Sequence, residues 1–156
     1  MDYEEFLKKI KVFAKETTLG QRAIFAFFIL IIIAGSVYLY NPQKKLLERR
    51  NAQRRSDVVN ILNSVYQYSL DHSGELPFSI TSEPKKICKT RAQSCDGLVD
   101  ISDVINNKKY LLSAVPIDPK EKDANSSGYE ISKLSSGRIS VSAPLAENGA
   151  VISLSK

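Results

Sequence analysis

The sequence has few of the residues on which enzymes and metal sites depend. Its 156 residues include one histidine, His72, and two cysteines, neither of which has a histidine nearby in sequence. A glycine-rich phosphate loop and the G-x-S-x-G and H-E-x-x-H motifs are all absent from it. Two cysteines alone cannot complete a tetrahedral zinc site, which needs four ligands. We therefore expect a protein without enzymatic activity and without a cofactor.

Charge is absent from one long stretch. The 18 residues from Ala23 to Tyr40, "AIFAFFILIIIAGSVYLY", carry none, and as a helix they would reach roughly 27 Å, close to the thickness of a bilayer core. Tyr38 and Tyr40 stand at the far end, where aromatic rings favour the head-group level. The stretch predicts a transmembrane helix over residues 23–40. A buried soluble helix is the alternative that the small chain disfavours, and a cleaved signal peptide is disfavoured by the length of the apolar core.

The segment before this span, residues 1–22, has amphipathic character. Apolar residues recur there at helical spacing, with lysines and glutamates between them. Such a helix can lie in the membrane interface or contact a cytoplasmic partner. The apolar positions are Tyr3, Phe6, Leu7, Ile10 and Phe13.

Positive charge is concentrated just after the span. Lysine and arginine outnumber aspartate and glutamate by 22 to 17, and six of the cations fall within twelve residues. A cluster at this position favours the lipid bilayer as its partner. Nucleic acid is the less favoured alternative, because the cluster is short and has no interleaved aromatic residues. The six are Lys44, Lys45, Arg49, Arg50, Arg54 and Arg55.

A long helix is predicted over residues 41–71. Asn41 and Pro42 suit a helix start, and no glycine follows before Gly74. Alternatively, Pro42 kinks one continuous helix. The second half carries an apolar stripe that the following domain should cover. Its members are Val58, Ile61, Leu62, Val65 and Tyr68.

The remaining residues, 72–156, predict a small head domain. Residues 78–97 have the composition of a loop, and a short helix is expected within residues 97–105. Three alternating segments follow, "YEISKL", "GRISVSAP" and "GAVISLSK", separated by turn signals. They predict a three-stranded antiparallel meander packed on the long helix, and hence an α+β fold. The residues expected to face the helix are Tyr129, Ile131, Ile139, Val141, Val151 and Ile152.

The cysteines and the flanking charges suggest opposite topologies. Cys88 and Cys95 lie close together in a polar segment, which favours a disulfide over two free thiols and places the head in an oxidising compartment. The lysines and arginines that flank the span lean slightly the other way, towards a cytoplasmic C-terminus.

The order of segments resembles that of type IV pilins and of the pseudopilins of type II secretion. The closest match is residues 41–77, with an Ala-x-Arg-x-x-Asp pattern at Ala52, Arg54 and Asp57, and a looser likeness extends to Pro144. The resemblance implies a structural subunit of a bacterial filament, anchored in the inner membrane with its head outside. Its N-terminal helix would pack against copies of itself or other pilin-like subunits.

The resemblance also implies two details. Some pseudopilin heads bind calcium in the loop before the last strands, where Asp118, Asp123 and Asn125 supply oxygens here. Prepilins are processed after a glycine that is followed by Phe-Thr-Leu-Ile-Glu. Here Gly20 is followed by Gln21, and Phe25 stands where the family keeps glutamate. An anchored interaction module that forms no filament is therefore the alternative function.

Overall fold

The computed structural model describes residues 3–5, 7–9, 18–77, 79–106, 110 and 112–156. Residues 3–5 and 7–9 are helical, whereas Phe6, Ile10 and Phe13 of the predicted amphipathic helix lie outside the described residues. The chain divides into two compact units, Met1–Gln43 and Lys44–Lys156.

Helix α1 covers Leu19–Tyr40. It begins with a capping box, in which the Gln21 backbone N–H donates to Thr18 Oγ1 at 3.4 Å and the Thr18 N–H donates to Gln21 Oε1 at 3.0 Å. Two of the donors that a helix start leaves without partners are thereby satisfied. The helix therefore starts four residues before the uncharged stretch and includes the Gly20–Gln21 bond.

Helix α2 covers Pro42–Asp71, 30 residues, and the non-helical Asn41 alone separates it from α1. It begins at the predicted proline. After its end Gly74 has φ +89° and donates its N–H to the Ser69 carbonyl at 2.7 Å, as expected of a left-handed cap.

The sheet has four strands in the order β1-β2-β3-β4, all antiparallel to their neighbours. The predicted meander forms β2, Ser126–Lys133, β3, Ile139–Ser142, and β4, Ser153–Ser155. Strand β1, Lys85–Cys88, was not predicted. It lies within the expected loop and pairs with β2, Lys85 opposite Ile131.

One hydrophobic core joins α2 to the sheet. Val58, Ile61, Leu62 and Val65 are buried, as predicted, and Tyr68 packs against the core while partly exposed. Each of these buried aliphatic side chains contributes about 1.5–3 kcal/mol to folding. The α+β class, with a long N-terminal helix and a small antiparallel sheet, is thus confirmed. The sheet-side members that the sequence predicted and the core contains are Tyr129, Ile131, Ile139, Val141 and Ile152.

Val151 was wrongly assigned to the core. Its side chain is 93% exposed, whereas its neighbour Ile152 is 6% exposed. Successive side chains of an extended chain point to opposite sides, so only one of the two can face inward.

The head also contains the short helix that the sequence predicted. Helix α3, Ser102–Asn106, is short, and its Ser102 N–H donates to Asp100 Oδ1 at 2.8 Å. Helix α2 from Lys44 onward belongs to the same compact unit as the sheet. Residues 44–71 therefore fold as one unit with the head that was expected to cover their apolar stripe.

Candidate functional site

Helix α1 is predominantly apolar from Ala23 onward. The most apolar 18-residue window has a mean hydropathy of 2.5 and none of it is buried. Phe27, Leu30 and Ile32 are each more than 60% exposed. Among the described residues this is the one helical stretch long and apolar enough to cross a membrane. Water-soluble proteins rarely expose a continuous apolar surface of this extent.

The Ser36 hydroxyl of α1 has a partner within the helix. The Ser36 hydroxyl donates to the Ile32 carbonyl at 2.7 Å, so it needs no partner from water. Tyr38, at the far end, is 85% exposed, as an interfacial ring would be, and the Tyr40 side chain lies outside the described part of the chain. The Ser36 hydroxyl is thus bonded within the helix, as a polar group in hydrocarbon needs to be.

The six-residue basic cluster is divided by the fold. Lys44, Lys45, Arg49 and Arg55 are exposed on α2, whereas Arg54 is fully buried and Arg50 turns toward the head domain. The prediction that all six cations meet lipid head groups is therefore wrong for Arg54 and Arg50. Both side chains lie beside carboxylates of the head, which neutralise them.

Arg54 is the centre of a buried polar network. Its Nε and Nη2 donate to the two carboxylate oxygens of Asp118 at 2.7 and 3.0 Å. Its Nη1 donates to Asn51 Oδ1 at 2.9 Å and to Glu147 Oε2 at 3.0 Å. Hydrogen bonding to Asp118, and then to Glu147, raises the pKa of Arg54 despite its burial. We call Arg50, Asn51, Arg54, Asp118 and Glu147 the arginine cluster.

Glu147 ties the loop between β3 and β4 to helix α2. It accepts two hydrogen bonds from Arg50, and Lys120 Nζ lies 3.4 Å from its Oε1. Asn51 bonds the Glu147 backbone twice, donating to its carbonyl at 2.8 Å and accepting from its N–H at 3.0 Å. The bonds from Arg50 and then Arg54 lower the pKa of Glu147 to about 2.

A second polar contact joins the helix to the sheet. The Tyr129 hydroxyl donates to Asp57 Oδ2 at 2.6 Å, and the Tyr129 side chain is fully buried in the core. Burial and this bond raise the pKa of Tyr129. Arg54 and Asp57, two positions of the Ala-x-Arg-x-x-Asp pattern, therefore both hold α2 against the rest of the head.

The predicted disulfide is present. Cys88 and Cys95 are bonded, with their Cα atoms 5.5 Å apart, which fits the usual geometry. The enclosed loop is also held by hydrogen bonds, from Lys89 N to the Asn125 carbonyl at 2.7 Å and from Gln93 N to Asn125 Oδ1 at 3.1 Å. Cross-linking a loop in this way favours an oxidising compartment for the head.

The three candidate calcium ligands make contacts within the protein. Both carboxylate oxygens of Asp118 accept hydrogen bonds from Arg54. Asp123 Oδ1 accepts from the Asn125 and Ser126 N–H groups at 2.7 and 2.9 Å, and these bonds lower the pKa of Asp123. Among the described residues no group of three or more His, Cys, Asp or Glu is placed to hold a metal ion. Calcium binding stays a prediction.

Sequence reasoning missed the roles of Asn51, Asp118 and Glu147. One signal was available, because Arg54 occurs four residues before Val58 and seven before Ile61, on the apolar stripe itself. A cation on a buried face requires a carboxylate partner. The partners, 64 and 93 residues away, could not have been named from that spacing.

No protein-family model, no curated protein and no solved structure matches this chain.

Proposed function

We propose that the chain is a single-pass membrane protein with a structural role, a pilin-like or pseudopilin-like subunit whose head domain lies outside the cytoplasm. The observation that carries the proposal is the complete exposure of the apolar helix α1. Its side chains need an apolar environment, which lipid, or the matching helices of other subunits, would supply.

Two further features support a structural role. Helix α2, which follows Asn41 directly, is fixed to the head by the hydrophobic core and by the arginine cluster. A helix that is held rigidly in the head domain suits a subunit with a structural role. The resemblance of residues 41–77 to pilin-like proteins points to the same role, and the disulfide supports a location for the head outside the cytoplasm.

Cell fractionation tests the proposal. The full chain should remain with membranes after alkaline carbonate extraction, and a filament subunit should also appear in the material sheared from the cell surface. N-terminal sequencing of the sheared material should then begin at Gln21. Recovery of the full chain as a detergent-free soluble monomer would refute both the anchor and the filament.

An anchored interaction module is the second candidate. Phe25 stands where pilins keep a glutamate, which favours a chain that is not processed and stays in the membrane. Deletion of residues 1–20 separates the two functions, because a filament subunit should still assemble without a leader. An adaptor should instead keep its membrane attachment and lose its cytoplasmic partner.

A further inference from the structure

Four exposed cations occupy the start of helix α2. Lys44, Lys45, Arg49 and Arg55 are exposed, as is Glu48, whose contact with Lys44 is an exposed ion pair at 4.0 Å. Such a pair is weak. Arg50 and Arg54 are ion-paired with Glu147 and Asp118 of the head, so the exposed members of the basic cluster are Lys44, Lys45, Arg49 and Arg55.

Chain length limits how far three of these cations can lie from the apolar span. Lys44 follows Tyr40 by four residues, which is at most about 14 Å of chain. Arg49 follows Pro42 by seven residues, about 10 Å along the helix axis. The head-group layer is about 5–8 Å thick, and long basic side chains extend toward it. Arg55 lies about four turns along α2 and is the most distant of the four.

We propose that Lys44, Lys45 and Arg49 bind the phosphate groups of anionic lipids and so give the bilayer around this protein a selected composition. The inference rests on the proposed membrane anchor. Lysine and arginine near a membrane surface each strengthen association with an anionic leaflet about fivefold. A zwitterionic head group carries its own cation and gains less.

Polynucleotide is the competing anion, and the fold weakens that interpretation. The basic cluster contains four arginines, which favoured a nucleic-acid site, but Arg54 binds Asp118 and Arg50 binds Glu147. Two exposed arginines and two lysines next to an apolar helix match a lipid surface better than a strand of regularly spaced phosphates.

Spin-label spectroscopy of the full chain in phosphatidylcholine bilayers tests the inference. Trace spin-labelled phosphatidylglycerol or phosphatidylcholine reports the fraction of each lipid that the protein immobilises. We expect phosphatidylglycerol to be favoured about fivefold or more, with the preference falling as salt rises. The variant Lys44→Gln/Lys45→Gln/Arg49→Gln should reduce the ratio to about one.

Arg55→Gln is the matched control. It removes one positive charge, against three in the triple variant, from an exposed position of the same helix, and it should retain most of the preference. Equal loss in Arg55→Gln and in the triple variant would overturn the assignment to the three nearer residues. Circular dichroism should show that both variants keep the helical content of the unmodified chain.

The outcomes separate this inference from the proposed function. Absence of any immobilised lipid would refute the membrane anchor itself. Immobilised lipid without preference for phosphatidylglycerol, or a preference that survives the triple substitution, would refute the anionic-lipid site alone. Salt-sensitive binding of duplex DNA that the triple variant abolishes, without lipid preference, would replace it with a polynucleotide site.

Discussion

Arg54 illustrates how a single buried cation can fix the position of a helix. It lies on the face of α2 that also carries Val58 and Ile61, yet its side chain is fully buried. Removing a guanidinium from water is unfavourable unless its donors are satisfied, and here Asp118, Glu147 and Asn51 accept four hydrogen bonds. Because these partners require one particular placement of two loops, the cluster specifies geometry more than it adds stability.

Replacing Arg54 by methionine should strongly destabilise the head domain. The change leaves the buried Asp118 carboxylate without its counter-ion, and breaking such a pair costs about 3–5 kcal/mol. Urea unfolding of the full chain in detergent, followed by the near-ultraviolet circular dichroism of the tyrosines, measures the loss. Arg55→Met is the control, since the neighbouring exposed side chain should change stability by no more than about 0.5 kcal/mol. Equal effects of the two substitutions would contradict the assigned burial.

Glu147 should make the stability of the head depend on acidic pH. Its pKa falls from the ordinary 4.5 to about 2 in the folded protein, first because of Arg50 and also because of Arg54. Folding is therefore favoured by the ionised form, and the contribution is complete above about pH 5 and is lost as the pH falls toward 2. Urea unfolding midpoints measured from pH 6 to pH 2.5 should decline more steeply in the native protein than in Glu147→Gln. Parallel declines would mean that Glu147 is not ion-paired.

At the scale of elements, the sequence was most informative where the signal is local. The bounds of α2 follow from Pro42, from the apolar stripe and from Gly74, all of which act within a few residues. Strand β1 was missed because Lys85 and Lys86 obscure any alternation, and the strand exists through its pairing with β2, about forty residues later. The arginine cluster was missed for the same reason, since Asp118 and Glu147 lie 64 and 93 residues from Arg54 and are its neighbours only in the folded head.

Gly128 in strand β2 allows the loop that carries Asp118 to approach the sheet. Its φ is +85°, and a Cβ atom there would lie 2.8 Å from the Asp118 Cβ. The Asp118 N–H donates to the Ser127 carbonyl at 2.9 Å, so the loop cannot withdraw without breaking that bond. The glycine thus supports the contact between Asp118 and Arg54 indirectly.

Gly128→Ala should therefore be more destabilising than Gly137→Ala. Gly137 has a similar φ of +82°, but a Cβ there would meet nothing within 4 Å. Both substitutions incur the backbone strain, about 1–2 kcal/mol, whereas only Gly128→Ala adds a steric conflict of about 1–3 kcal/mol. The difference between their free energies of unfolding isolates the conflict. Equal losses would show that the loop adjusts at no cost.

At the scale of the whole molecule, the proposed function requires the head domain to lie outside the cytoplasm. The cations that flank the span lean toward a cytoplasmic C-terminus. The cysteines argue for the opposite side, because a disulfide such as Cys88–Cys95 persists in an oxidising environment. Two of the cations that weigh in the charge count, Arg50 and Arg54, are neutralised by the head itself. The disulfide is therefore the stronger indicator, and the head should lie outside the cytoplasm.

Thiol labelling of spheroplasts tests this topology. In Val151→Cys the new thiol replaces a side chain that is 93% exposed, and a membrane-impermeant maleimide should label it in intact spheroplasts. The unmodified chain should stay unlabelled, because both of its cysteines are bonded. In chains that keep residues 1–20, Lys9→Cys, on the other side of the apolar span in sequence and also at an exposed position, should react only after the membrane is permeabilised. The reverse pattern, with Lys9→Cys labelled first, would place the head in the cytoplasm and exclude a filament subunit.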